Sequence, residues 1–128
     1  MLKEKATELY HSGYNCAETI VRAANEVYGL GLSDNDMKMM AGFGAGMGCG
    51  QVCGALSGAI AAISAKLVET KAHECPDLGP TCTSMVREFK LRLSDTECKN
   101  LKAKYFNREN RCLHTILDAC DALEKVMG

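Results

Sequence analysis

The sequence predicts an all-α fold: a single-domain bundle of six or seven short helices around a central Gly/Ala-rich helix. Three observations carry this. Only 2 prolines interrupt the 128 residues. Ala, Leu, Met, Lys and Glu, all good helix formers, are abundant. Apolar residues recur at three- and four-residue spacing in several windows, and no stretch reads as a convincing strand. At 47% hydrophobic, the chain is long and apolar enough to bury one core without cross-links. No linker or low-complexity tract divides it, so residues 1–128 are expected to be one domain.

Leu2 to Ser12 reads as the first helix, closed by Gly13. Asn15 is a good N-cap for a second, Cys16 to Tyr28, with Ile20, Ala23, Ala24 and Val27 on one face. Gly29 and Gly31 end it. Ser33 followed by Asp36 resembles a capping box, with Asp in place of the usual Glu or Gln, and opens a third helix through Met40.

The alternating glycines of GFGAGMGCG, residues 42 to 50, cannot sustain a stable helix. They predict an irregular loop that lets the backbone come close to something. Gln51 to Glu69 is the most apolar stretch and is expected to be the central buried helix. Gly50, Gly54 and Gly58 recur every four residues and would share one nearly bare face, open to a neighbouring helix or a cofactor. The stretch is too short and too rich in Ala and Gly for a membrane span, and Gln51, Ser57, Ser64 and Lys66 interrupt it.

Residues 71 to 80, KAHECPDLGP, read as a loop. Thr81 caps a helix to about Leu93, Ser94 caps another over Asp95 to Tyr105, and Asn107 begins the last, through Met127. The stripe Cys112, Leu113, Ile116, Leu117, Cys120, Leu123 and Met127 marks the buried face of that last helix.

Lys and Arg number 15 against 16 Asp and Glu, so no overall charge footprint points to nucleic acid or an anionic membrane. The start, MLKEKATELY, is charged and amphipathic with no apolar core, so a cytoplasmic, reducing location is expected. There, clusters of cysteine are more often catalytic or metal-binding than structural, and this chain has 8.

Each cysteine has a chemical and a plain packing reading. Cys16 falls in the first turn of its helix, where free N–H groups and the helix dipole favour a thiolate; otherwise it is a small buried hydrophobe. Cys49 and Cys53, four apart, would be neighbours on a helix, as a disulfide, as ligands to one metal or cluster, or as two small residues filling space. Cys98 sits between Glu97 and Lys99, where an exposed thiol without a role would be a liability.

Cys112 follows Arg108 and Arg111, cations that lower a thiol pKa, and also lies on the apolar stripe. Cys120, two turns on, reads as core. Cys75 and Cys82 bracket a loop with His73 nearby; a zinc site there lacks a local fourth ligand. His11, His73 and His114 have no ligand spacing. No phosphate-binding loop, dinucleotide fingerprint, nucleophile elbow or H-E-x-x-H motif occurs.

Four features then line up in order: GYNCA (Gly13 to Ala17), GFGAGMGCGQVCGALSG (Gly42 to Gly58), TECKNL (Thr96 to Leu101) and the Arg111-Cys112 pair. This order resembles the C-GCAxxG-C-C family of redox-active proteins, named for a lone Cys, a Gly-Cys-Ala-x-x-Gly motif and two later Cys. The matching stretch is Val52 to Gly58; it departs from the strict motif because Val52 precedes the Cys and Gly54 separates it from Ala55.

The resemblance covers almost the whole chain and carries the family's cysteines onto Cys16, Cys53, Cys98 and Cys112. Cys49, Cys75, Cys82 and Cys120 lie outside the pattern. A similar domain in split-Soret type cytochromes is associated with an iron–sulfur cluster. No C-x-x-C-H site for c-type haem is present here.

The resemblance implies electron transfer through an iron–sulfur cluster. Its ligands would be the four family cysteines, with Cys49 a further candidate and the Gly54 and Gly58 face leaving it room. A cofactor-free dithiol/disulfide protein, with Cys16 or Cys53 attacking and another of the set resolving, is the alternative. A zinc-binding helical module is a third. A redox partner protein of unknown identity is implied, and the glycine-lined face predicts a homodimer.

Overall fold

The computed structural model describes residues 1–128 as an all-α chain of seven α-helices. They are α1 (Leu2–His11), α2 (Cys16–Tyr28), α3 (Asp34–Met37), α4 (Gly54–Leu67), α5 (Leu78–Leu93), α6 (Cys98–Tyr105) and α7 (Leu113–Met127). Helix α4 packs against α2, α5 and α7, and α1 bridges α2 and α7. One continuous core runs through them, with Leu2, Ile20, Ile63, Phe89, Ile116 and Leu123 fully buried. Each such side chain contributes roughly 1.5–3 kcal/mol of burial. No helix is long and apolar enough to cross a membrane.

Glycine sets the closeness of the central contact. A Cβ on Gly58 would lie 2.7 Å from the Ala17 carbonyl oxygen and 3.1 Å from Ile20 Cβ. The bare surface of α4 at Gly58 therefore lets the backbone of α2 approach, while Gly54 makes room for the Cys16 sulfur and the 43–44 backbone. Gly50 does not share that face, because α4 begins only at Gly54. Residues 51 to 53 are extended instead and pair with 96 to 98: Cys53 N–H donates to Thr96 O (2.8 Å) and Cys98 N–H to Gln51 O (2.6 Å).

Other boundaries differ from the sequence reading for local reasons. The third helix gives way after Met37 to a 3₁₀ stretch, Lys38–Phe43, as the chain turns into the glycine segment. Helix α5 starts at Leu78, before Thr81, because Pro80 sits in its first turn, where a missing N–H costs nothing.

Ser94 is not an N-cap: it ends α5 in a left-handed conformation (φ 70°). Asp95 then folds the chain back, its carboxylate accepting from the N–H groups of Thr96 (2.7 Å) and Glu97 (2.9 Å). Asn107 does not start α7. Its side chain accepts from Asn110 N–H (2.7 Å) in a tight turn closed by an Asn107–Arg111 bridge.

The glycine segment holds an unusual turn. Ala45, Gly46, Met47 and Gly48 all have positive φ (54°, 61°, 59° and 74°), one turn of left-handed backbone. Each non-glycine residue there costs roughly 1–2 kcal/mol. The glycine at 46 is obligatory for space as well: a Cβ would lie 2.6 Å from the Gln51 backbone and 2.7 Å from Cys98 Cβ.

Candidate functional site

Four cysteines reach one cavity, each from the amino end of a different helix. Cys16 is the first residue of α2. It is fixed by a capping box in which the Asn15 side chain accepts from Glu18 N–H (3.0 Å) and Glu18 Oε1 accepts from Asn15 N–H (3.0 Å). Asn15 Nδ2 also donates to Ala41 O (2.9 Å), tying this corner to the glycine segment. Cys53 is the N-cap residue of α4, and Cys98 is the first residue of α6. The backbone bridge from 51–53 to 96–98 sets these two side by side.

Cys112 is the N-cap residue of α7, and its N–H donates to the Tyr10 hydroxyl oxygen (3.1 Å), a contact spanning 102 residues. Arg111, in a left-handed conformation (φ 52°), lays its guanidinium 4.4 Å from the centre of the Tyr10 ring.

These four cysteines line a cavity of about 280 Å³ with Tyr10, Tyr14, Lys102, Arg111 and Thr115 among the other walls. Gly54 is not itself in the cavity wall but packs against Cys16: a Cβ there would lie 2.5 Å from Cys16 Sγ. The cavity wall includes no carboxylate and no imidazole, so the soft donors are thiols alone.

All eight cysteines carry free thiols. Burial pushes the Cys53 thiol up to about 12, with the neighbouring Cys16 and Cys98 adding to the rise. Burial also raises Cys98 and Cys112, against the opposing pull of Lys102. The expectation that nearby cations lower the Cys112 pKa is thus overturned, since desolvation outweighs them. Cys98 is buried rather than exposed among its charged neighbours.

The other four cysteines lie elsewhere. Cys49 is exposed just after the left-handed turn, its Sγ 3.8 Å from Gly46 O, and it does not line the cavity. It is not a helical neighbour of Cys53, because the chain from Gln51 to Cys53 is not helical. Cys75 Sγ points to Leu67 O (3.4 Å), Cys82 lines a shallow groove beside Val86, and Cys120 is fully buried in the core. No three His, Cys, Asp or Glu side chains are grouped closely enough to hold a single metal ion. Gly58 serves helix packing and is not part of the cavity wall.

Sequence reasoning missed Tyr10, Tyr14, Lys102 and Thr115. Nothing local marks Tyr10, because its partner Cys112 lies at the far end of the chain.

A family model described as "Putative redox-active protein (C_GCAxxG_C_C)" matches residues 14–126. The chain belongs to this redox-active family. The match takes in all four cavity cysteines, whereas α1, which supplies Tyr10, lies before it. No curated protein and no solved structure matches the chain.

Proposed function

We propose that this C-GCAxxG-C-C protein, acting as one domain over residues 1–128, is an electron carrier. In this reading Cys16, Cys53, Cys98 and Cys112 hold an iron–sulfur cluster. The observation that carries the proposal is the convergence of four thiols, each at a helix amino end, around one void of about 280 Å³.

Soft thiolates select iron–sulfur clusters or zinc. A single ion needs its ligands within bonding distance of one point, roughly 2.3 Å for zinc to sulfur. Four thiols around a void, with no carboxylate or imidazole in its wall, suit the all-sulfur ligation of a polynuclear cluster.

Such a cluster, when bound, supplies one-electron transfer. The chain's own residues do the rest. The helix amino ends direct backbone N–H groups and positive dipole ends toward the thiolates. The Tyr10 hydroxyl fixes Cys112, and the Asn15 box fixes Cys16. Gly54 leaves space for the Cys16 sulfur. Deprotonating the buried Cys53 and Cys98 and the half-buried Cys112, whose pKa values are raised, is unfavourable until a cation takes the place of the protons.

The raised Cys53 value speaks against Cys53 as the attacking group of a cofactor-free dithiol, since that group must be a thiolate near neutral pH. Eight free thiols suit a reducing, cytoplasmic setting.

The test is anaerobic purification followed by absorption, iron and sulfide measurements. A broad visible band with stoichiometric iron and sulfide is expected. A chain that stays colourless and iron-free after reconstitution with iron and sulfide overturns the proposal.

A further inference from the structure

The mouth of the cysteine cavity is cationic. Its exposed wall residues are Gly13, Ala45, Lys102, Phe106 and Arg111, with no carboxylate among them. The surrounding segment, from Cys98 to Cys112, adds Lys99, Lys104 and Arg108, all exposed. Five cations thus stand against one carboxylate, Glu109, on a chain whose net charge is only −1.

None of these five cations makes an ion pair within the chain. By contrast, Lys3, Lys5, Arg22, Lys71, Arg92 and Lys125 each pair with a carboxylate. Two contacts hold the rim in shape. Arg111 rests on the Tyr10 ring, and Lys102 Nζ lies 5.9 Å from the ring centre of Phe106, which is 45% exposed.

We propose that this rim is the docking surface for an acidic redox protein that exchanges electrons with the cysteine site. The inference rests on the redox reading of that site. An acidic face complements five unpaired cations, and the exposed Phe106 offers an aromatic anchor among them, as interface hot spots do. Docking at the mouth also brings the partner's cofactor to the side where the thiols lie nearest solvent. Long-range attraction of this kind raises encounter rates 10- to 1,000-fold and fades with salt.

The segment is a single eight-residue helix and one turn, a small footprint. That favours a compact protein face over a nucleic acid, whose binding typically neutralises a longer run of phosphates.

Cytochrome c offers a matched pair of probes. The native protein is basic, and succinylation of its lysines makes it acidic with the same haem. The chain, reconstituted and reduced with dithionite, is freed of excess reductant and mixed with either ferric form. One electron passes from the reduced site to the haem iron, which becomes ferrous and is followed by its absorbance.

The succinylated form should be reduced about ten times faster at low salt. That advantage should vanish at high salt and in the triple variant Lys99→Gln, Lys104→Gln, Arg108→Gln, whose positions do not line the cavity. Native cytochrome c reacting equally fast or faster overturns the docking surface while leaving the redox site standing, because electrons have passed. A chain that accepts no electrons from dithionite removes the redox reading, and the docking surface with it. Tight binding of a labelled DNA oligomer at physiological salt, lost in the triple variant, also overturns the proposal in favour of nucleic acid.

Discussion

Replacing Gly54 by Ala tests the geometry of the site at its tightest point. The added Cβ would lie 2.5 Å from Cys16 Sγ, 2.9 Å from Phe43 O and 3.2 Å from Gly44 Cα. Carbon contacts are comfortable at about 3.5–4.0 Å, so the methyl group overlaps its neighbours by up to an ångström. The Cys16 sulfur can rotate away, but only by leaving its place in the cavity wall. The 43–44 backbone is tied to Asn15 through the neighbouring Ala41 carbonyl and yields less.

Overpacking of this kind costs about 1–3 kcal/mol. Alanine regains up to about 1 kcal/mol of helix propensity, and less at Gly54 because it is the first residue of α4. The net loss is about 1–2 kcal/mol, which lowers the melting temperature of a chain this size by about 3–10 °C. Urea and thermal unfolding of the metal-free chain measure it, and cluster absorbance after reconstitution reports on Cys16.

Two companions sharpen the test. Gly58→Ala meets the Ala17 carbonyl at 2.7 Å but no cavity sulfur, so stability should fall while the cluster band persists. Gly79→Ala, with nothing within 4 Å, should leave stability unchanged or raise it by up to about 1 kcal/mol. A Gly54→Ala chain as stable as the parent and equally able to take up iron would refute the placement of Cys16 against α4.

Tyr10→Phe leaves the part-buried Cys112 N–H without its partner. It should cost about 1–3 kcal/mol in urea unfolding and shift the reduction potential of the reconstituted protein, whereas a purely structural role would leave the potential unmoved. Asn15→Ala removes the capping box and the bond to Ala41; a loss of about 1–2 kcal/mol is expected by the same assay.

Cys120, away from the site, carries a pH signature. Burial pushes its thiol up to about 12 from an ordinary value of 9.0, so the folded chain keeps a proton that the unfolded chain releases above about pH 9. Its stabilisation is complete below that pH and is lost as the pH rises toward 12. Cys120→Ala should therefore flatten the alkaline fall in stability measured by urea unfolding across that range.

The helical pattern was legible because periodicity and caps are local. Asn15 and Ser33 cap α2 and α3 where the sequence places them. The stripe on α7 buries Ile116, Cys120 and Leu123 as its spacing predicts. Besides the early start of α5, what local pattern did not reveal is that three helices begin late. Sequence signals start them at Gln51, Asp95 and Asn107, whereas the chain starts them at Gly54, Cys98 and Leu113.

In each case a tertiary or turn interaction holds the preceding residues out of the helix. The bridge between 51–53 and 96–98 does so for α4 and α6, with the Asp95 turn, and the Asn107 turn does so for α7. These delays bring Cys53, Cys98 and Cys112 to helix amino ends beside Cys16. The choice of cysteines was readable from motif order, but their shared position at four helix starts was not. Cys49 was misjudged for the same reason: its helical relation to Cys53 exists only if the helix begins before it.

The most direct test of the account replaces each of the eight cysteines singly by Ser and reads the cluster absorbance and iron content after anaerobic reconstitution. Cys16, Cys53, Cys98 and Cys112 variants should each lose the band, while Cys49, Cys75, Cys82 and Cys120 variants retain it. A chain that keeps its full band without one of the cavity four, or loses it with Cys49, would contradict the four-helix site.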